Sequence, residues 1–228
     1  MRIRSYFLGL MGVLFAAQAY ALSLNDLSQS QAADSLKAVL EQSTRLAVEQ
    51  LGKPGGFSNN PDVHIELPGN LGKAAQTMKM LGKSKQVNAL EDSMNSAAEA
   101  AIPEAQALLL EAIKNMTLDD AKDILKGPNN SATAYLDRSS REQLRSRFLP
   151  LIEQATQSSD LAKKYNNFAG QAASFGVIEA KDASIENYVT EQALDGLFTL
   201  MGQQEASIRD NPAQAATDMA KKVFELLR

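Results

Sequence analysis

Apolar residues recur at helical spacing along almost the whole of this chain, with signals for starting and stopping helices between the apolar runs. In SQSQAADSLKAVLEQSTRLAVEQLGKPGG, residues 28–56, one apolar stripe follows a single helical face. Ser28 and Gln31 have the spacing of a capping box. Gly52 can take the left-handed conformation that ends a helix, and Pro54 prevents the helix from resuming. A helix is therefore predicted between Ser28 and Gly52.

The same pattern repeats down the chain. Thr117 with Asp120 has the spacing of a capping box, as does Ser139 with Glu142, and Pro150 is predicted to kink or break the helix that Ser139 opens. Together these segments predict an all-α fold, a compact bundle of about nine or ten helices. Further predicted helices cover residues 70–81, 84–101, 103–116, 161–175, 184–210 and 212–227.

One stretch departs from the helical pattern. In PDVHIELP, residues 61–68, apolar and polar residues alternate between two prolines. Alternation places Val63, Ile65 and Leu67 on one side of an extended segment, with His64 on the other. The stretch predicts a short extended strap whose apolar side is pinned on the bundle. His64, the only histidine, is interpreted as architectural, because a flexible loop does not hold a general base against a partner.

The N-terminus has the pattern of a secretory signal peptide. Arg2 and Arg4 precede an apolar stretch, and Ala19-Tyr20-Ala21 is typical of a cleavage site. The apolar stretch is shorter than the roughly 20 residues that span a bilayer. We therefore predict residues 1–21 as a signal peptide cleaved near Ala21, and a soluble protein that is periplasmic or secreted.

The remaining residues, 22–228, are predicted to form a single all-helical domain, since no long linker or charge run interrupts them. The alternative is two subdomains that divide near Gly127, where Gly-Pro-Asn-Asn separates two predicted helices.

Composition excludes several classes of function. Removing Arg2 and Arg4 with the signal lowers Lys and Arg from 23 to 21, against 27 Asp and Glu, so the processed chain is acidic. It therefore lacks the clustered basic face that nucleic acid requires. The chain has no cysteine, which excludes disulfides, thiolate nucleophiles and thiolate metal sites. No segment after the signal is apolar enough to be predicted as a transmembrane helix.

Six stretches in this order resemble an uncharacterised bacterial family of exported proteins, the domain of unknown function numbered 4197: QLGKPGGF, MTLDDAKDIL, RFLPLIEQA, KYNNFAG, ALDGLF and IRDNP. The resemblance covers essentially the whole processed chain. It implies an all-helical exported protein, and it supplies no activity, substrate, cofactor or catalytic residue.

The sequence predicts no catalytic residue, no cofactor and no metal. Helical di-iron and zinc sites need at least two histidines, and only His64 is present. Asp119, Asp120 and Asp123 could be drawn as a carboxylate site for a hard cation, but they lack the spacing of a calcium loop. Their position near a helix N-terminus is already explained by the helix dipole.

Two groups of side chains are candidates for binding. Arg138, Arg141 and Arg145 in DRSSREQLRSRF share a helical face and could bind an anionic ligand or an acidic partner, but the favoured interpretation is an ordinary solvated face paired with Asp137, Glu142 and Glu153. A set of methionine and phenylalanine side chains could line a cavity for an apolar ligand, and the alternative is a filled core. That set includes Met78, Met94, Met201, Met219, Phe168, Phe175, Phe198 and Phe224.

We therefore predict a periplasmic, non-catalytic helical binding protein whose partner is an envelope protein or a small apolar or anionic ligand. Two alternatives remain open. The first is an envelope hydrolase that uses carboxylate or Ser-Lys chemistry. The second is a chaperone-like or structural protein that binds apolar segments in a groove between helices.

Overall fold

The computed structural model describes residues 29–68, 72, 79–156, 162–163, 166 and 184–226. The predicted signal peptide lies outside the described residues. Within them the protein is all-helical and contains no strand. Its seven α-helices are α1 (Gln29–Leu51), α2 (Ser84–Ala101), α3 (Ala105–Asn115), α4 (Leu118–Leu125), α5 (Ser131–Thr156), α6 (Ile185–Asp210) and α7 (Asp218–Leu226).

The predicted number of nine or ten helices is wrong for the described part of the chain, which has seven. One reason is α5, which begins at Ser131 and runs unbroken past both Ser139 and Pro150. Ser139 is therefore inside a helix, and its predicted capping box with Glu142 is also wrong. The predicted helices over 70–81 and 161–175 lie mostly outside the described residues.

Pro150 is accommodated inside α5 because it lies on the solvent side of the helix. A proline leaves the carbonyl four residues earlier without its helical hydrogen bond. That carbonyl belongs to Ser146, which is also exposed, so water can satisfy it. The inward residues on either side, Phe148 and Ile152, remain fully buried.

Two predicted helix starts are confirmed: Thr117 and Asp120 form the capping box of α4, and Ser184 caps α6.

The structure shows no extended strap over residues 61–68. Residues 61–63 form a turn, and 64–68 have no regular secondary structure. The turn closes through the carbonyl of Asn60, which accepts hydrogen bonds from the N–H groups of Val63 (3.2 Å) and His64 (2.9 Å). Val63, Ile65 and Leu67 are buried nonetheless. The side-chain amide of Asn95 in α2 bonds both the N–H and the carbonyl of Ile65, at 3.0 and 2.9 Å.

Helix α6 lies at the centre of the bundle and packs against α5, α1 and α2, while α1 also contacts α3, α4 and α7. A single cluster of buried apolar side chains extends from Ala33 to Phe224 and includes residues on both sides of Gly127. Burial of these apolar side chains contributes most of the free energy that stabilises the fold, since the chain has no disulfides. No helix in the described part of the chain has the length and apolar character needed to cross a membrane.

Replacing Gly196 with Ala in α6 is expected to lower the free energy of unfolding by about 1–3 kcal/mol, in spite of the higher helix propensity of Ala. A Cβ atom at this position would lie 2.7 Å from Cε1 of Phe57 and 3.3 Å from Cβ of Val63. Phe57 is fully buried and cannot move aside freely. Urea unfolding measures the change.

Gly202, six residues further along the same helix, is the matched control. A Cβ atom there meets nothing closer than Thr133 at 3.8 Å, which is an ordinary contact. Gly202→Ala is therefore expected to raise the free energy of unfolding by about 0.5–1 kcal/mol. A Gly196→Ala protein that is as stable as Gly202→Ala would show that Phe57 does not pack against α6 as described.

Candidate functional site

A groove with a volume of about 700 Å³ lies between α5 and α6. The two helices run antiparallel along it, since Arg141 bonds Asp195 at one end and Gly202 faces Asn130 and Thr133 at the other. The groove is roughly 16 Å long at 1.5 Å rise per residue. This α5–α6 groove is lined by Asn130, Thr133, Ala134, Asp137, Arg141, Asp195, Phe198, Thr199, Gly202, Gln203 and Ala206.

Arg141 forms one end of the α5–α6 groove and contacts three carboxylates. Its Nε lies 2.7 Å from Oδ1 of Asp137, its Nη1 lies 2.9 Å from Oε2 of Glu191, and its Nη2 lies 2.7 Å from Oδ1 of Asp195. Its guanidinium also stands over the ring of Phe198, 5.7 Å from the ring centre. The guanidinium is thereby held in one orientation, with Nε directed at Asp137 of α5 and its two Nη groups at carboxylates of α6.

The pKa of Arg141 reflects two opposing effects. Burial disfavours the charged form and would lower the pKa, but the hydrogen bonds from Asp137 and Asp195 and their negative charges outweigh it, so the pKa is raised above its usual value. Arg141 is therefore a permanent cation that fastens α5 to α6.

Arg145 makes a second connection between the helices. Its Nε lies 2.9 Å from Oε1 of Glu191, and its Nη2 donates to Oδ1 of Asn187 at 3.0 Å. The structure thus brings Arg141 and Arg145 of α5 together against the facing side of α6. Arg138 is exposed to solvent. The binding role predicted for these three arginines stays a prediction. Two of them already bond carboxylates of the same chain.

The acids outnumber the bases in this cluster. Asp137, Glu191 and Asp195 contribute three negative charges, and Arg141 and Arg145 contribute two positive ones. The side chain of Asp195 is 54% exposed, so part of the excess negative charge faces the solvent at the groove. The excess holds for the bonded groups, since the exposed Arg138 lies one turn before Arg141, and the exposed Asp195 carboxylate is the acceptor here that an incoming cation can reach.

Beneath the other end of the groove, Glu205 of α6 is fully buried and caps the first turn of α5. Its carboxylate accepts hydrogen bonds from the N–H groups of Ala132 and Thr133 at 3.2 and 2.8 Å, and from the Thr133 hydroxyl at 2.8 Å. Arg209 pairs with it at 3.0 Å and also donates to the carbonyl of Ile124 at 3.3 Å. One buried ion pair thus joins the end of α4, the start of α5 and the C-terminal end of α6.

A second cleft, of about 500 Å³, lies on the other side of Gln203, between the end of α1, the 52–62 segment and α6. We call it the α1–α6 cleft. Gln203 lines both cavities and donates to Oδ2 of Asp62 at 3.3 Å. The lining of the α1–α6 cleft is rich in side-chain amides, contributed by Gln50, Asn59, Asn60, Gln203 and Gln204.

The wall of the α1–α6 cleft is shaped by Glu99 of α2. Its largely buried carboxylate accepts hydrogen bonds from the N–H groups of Gly55 (3.1 Å), Phe57 (3.0 Å) and Ser58 (3.1 Å), and from the Ser58 hydroxyl (3.2 Å). Gly55 has φ +85°, a conformation that favours glycine. The 52–60 loop is thus wrapped around a carboxylate.

His64 does not line either cavity. It is half-buried, and its Nδ1 atom is buried without a hydrogen-bond partner in the described structure. A general base needs an orienting partner, and the Nδ1 atom of this ring has none among the described residues.

The three aspartates of α4 do not gather around a common point. Asp120 accepts a bond from the Thr117 hydroxyl at 2.6 Å and another from the Tyr135 hydroxyl at 3.2 Å. The Thr117 bonds lower the pKa of Asp120, so the stability they give is lost as the pH falls through that lowered value. Among the described residues, no group of three or more His, Cys, Asp or Glu side chains is placed to bind a metal ion.

The predicted apolar cavity is not visible in the part of its lining that the structure describes. Met94, Met201, Phe198 and Phe224 belong to the hydrophobic core cluster, and Met219 is partly exposed. Met78, Phe168 and Phe175 lie outside the described residues.

Sequence reasoning missed three buried polar side chains, Glu99, Glu205 and Asn95. A signal was present for Glu205, which falls on the apolar stripe of the predicted helix over 184–210. Asn95 and Glu99 lie away from the apolar stripe predicted for residues 84–101, so the helical pattern does not mark them as buried. Most of the partners of these three side chains are backbone N–H and carbonyl groups, which every residue has and which a sequence therefore does not reveal.

The resemblance found in the sequence is confirmed by comparison with known families. A family model with the description "Protein of unknown function (DUF4197)" matches residues 26–225. The same comparisons give no match to a curated protein or to a solved structure. The family match includes every described helix except the last residue of α7. The chain therefore belongs to the DUF4197 family of proteins of unknown function.

Proposed function

We propose that this is an exported, non-catalytic binding protein of the bacterial envelope, and that the α5–α6 groove holds an extended polypeptide segment of an envelope partner. Export is supported by the signal-peptide pattern of residues 1–21. A single domain over residues 22–228 is supported by the apolar cluster that joins both sides of Gly127. A measured mass equal to that of residues 22–228 would agree with cleavage after Ala21.

The polar side chains along the α5–α6 groove are the observation that carries the proposal. Asn130, Thr199 and Gln203 are spread along its length, and each has both a donor and an acceptor, whereas the Thr133 hydroxyl between them already donates to Glu205. An extended polypeptide presents unpaired N–H and carbonyl groups at regular intervals, whereas a helix satisfies its own. A row of amide and hydroxyl groups therefore suits an extended chain better than a helix.

The small side chains of the groove favour the same occupant. Ala134, Gly202 and Ala206 leave room for a backbone to approach both helices closely. At the Arg141 end, the excess of carboxylates and the exposed Asp195 favour a basic side chain on the bound segment. We therefore propose a segment with one lysine or arginine placed to reach Asp195.

Fluorescence anisotropy with three labelled nine-residue peptides tests this proposal. Each peptide is built from Thr, Ser and Val, which favour extended chains, and has Lys, Ala or Glu at its centre. The Lys peptide is expected to bind most tightly, at least about tenfold more tightly than the Glu peptide at low salt.

A groove-filling variant supplies the control. Gly202→Leu is expected to fold, because a Cβ atom fits there, and to weaken binding of the Lys peptide at least about tenfold by occupying the groove. The matched variant Glu111→Leu, on the exposed face of α3, should bind as the parent does. Equal affinity for all three peptides, or unchanged binding by Gly202→Leu, would overturn the proposal.

A further inference from the structure

The turn Lys79–Lys83, immediately before α2, exposes two large apolar side chains side by side. Met80 is 80% exposed and Leu81 is 74% exposed, more than any other large apolar residue among those described. Single exposed apolar residues are ordinary on protein surfaces, but an adjacent and nearly fully exposed pair is not. We call Met80 and Leu81 the apolar tip.

The backbone of the turn holds the apolar tip in place. Gly82 has φ +79°, a left-handed conformation that reverses the chain, and its surroundings are open space. The Ser84 hydroxyl donates to the carbonyl of Lys79 at 3.2 Å, and Lys79 pairs with Glu91 of α2 at 2.8 Å. The tip is therefore a convex feature fastened to the start of α2.

The sequence around the apolar tip is basic. Lys79, Lys83 and Lys85 fall within the seven residues KMLGKSK, which contain no acid; Glu91 of α2 pairs with Lys79, which leaves an excess of two positive charges here in a chain whose net charge is −4. An anionic surface would repel the protein as a whole and attract this segment, so it would orient the molecule with the tip facing the surface.

We propose that the apolar tip docks the protein on an anionic lipid bilayer, with Met80 and Leu81 in the interface and the neighbouring lysines beside lipid phosphates. A fluid bilayer accepts a convex pair of apolar side chains without a complementary pocket, whereas a protein partner would have to supply one. Lysine stems can follow the apolar boundary while their ammonium groups contact the headgroups. This docking is independent of the α5–α6 groove.

Co-sedimentation with lipid vesicles tests the docking. The processed chain, residues 22–228, is mixed with vesicles of phosphatidylcholine alone, or with vesicles that contain 30% phosphatidylglycerol. Binding is expected only to the anionic vesicles and should weaken as salt is added. Leu81→Asp and Met80→Asp should each reduce the partition coefficient at least about tenfold, because each removes one inserted side chain.

Further variants distinguish docking through the apolar tip from nonspecific binding to vesicles. Lys85→Glu should reduce binding to the anionic vesicles several-fold, since it reverses one charge beside the tip. Leu118→Asp, which removes a half-exposed leucine of α4, should have no effect. All variants lack residues 1–21, so the apolar stretch of the signal peptide contributes nothing to the measured binding.

Three results would overturn the proposal. One is no binding to the anionic vesicles. Another is equal loss of binding from Leu81→Asp and Leu118→Asp. The third is a loss of self-association in Leu81→Asp without any change in vesicle binding, which would make the apolar tip a contact between copies of the chain. Unchanged circular dichroism and thermal unfolding confirm that each variant is folded.

Discussion

Replacing Glu205 with Ala is expected to lower the free energy of unfolding by about 3–5 kcal/mol. The side chain of Glu205 is fully buried, and Arg209, its partner at 3.0 Å, is only 9% exposed. Without the carboxylate a buried guanidinium is left unpaired, and the first turn of α5 loses acceptors for the N–H groups of Ala132 and Thr133. Urea unfolding monitored by circular dichroism measures the loss.

Glu111→Ala, on the exposed face of α3, is the matched control and should change the stability by less than about 0.5 kcal/mol. The double variant Glu205→Ala with Arg209→Ala should be more stable than the sum of the two single changes predicts, because the second change removes the unpaired cation. Strictly additive effects, or a loss below about 1 kcal/mol for Glu205→Ala, would contradict the described ion pair.

Replacing Glu99 with Ala is expected to lower the free energy of unfolding by about 2–4 kcal/mol, the second largest effect. Four hydrogen bonds from Gly55, Phe57 and Ser58 end on this one carboxylate. Its removal leaves backbone N–H groups of the 52–60 loop without an acceptor, and the N–H of Phe57 is buried among them. Thermal unfolding and hydrogen exchange of the loop amides report the change.

Two further variants identify the cause. Glu99→Gln keeps the size of the side chain but gives it only one oxygen to accept bonds, so it should recover part of the loss and no more. Glu104→Ala, an exposed glutamate five residues further on, should be nearly neutral. If Glu104→Ala is as damaging as Glu99→Ala, the loop is not held by the Glu99 carboxylate.

The fold class could be predicted from the sequence because the apolar residues of a buried helical face recur with the period of the helix. The apolar stripe of residues 29–51 and the caps at Thr117 and Ser184 could each be identified within a short stretch of sequence. The start of α5 could not be identified in this way. Its cap comes from Glu205, more than seventy residues away, so no local pattern marks Ser131 as a beginning.

The candidate site was predictable only in part, for a related reason. The sequence showed that Arg138, Arg141 and Arg145 share a helical face, but it could not show what faces them. Their spacing is equally compatible with a free anion site and with internal pairing. The structure places Glu191 and Asp195 of α6 opposite, so two of the arginines bond within the fold. Which helix packs beside which is decided by tertiary contacts, and periodicity does not encode it.

Site-specific photo-crosslinking in living cells tests the central claim, that the α5–α6 groove holds a polypeptide. The photoreactive residue p-benzoylphenylalanine is placed at Thr199 in the groove, and at Glu111 on the exposed face of α3 as a control. We expect a light-dependent covalent adduct with a protein at position 199 and none at position 111. No adduct at position 199, or the same adducts at both positions, would contradict a polypeptide-binding groove.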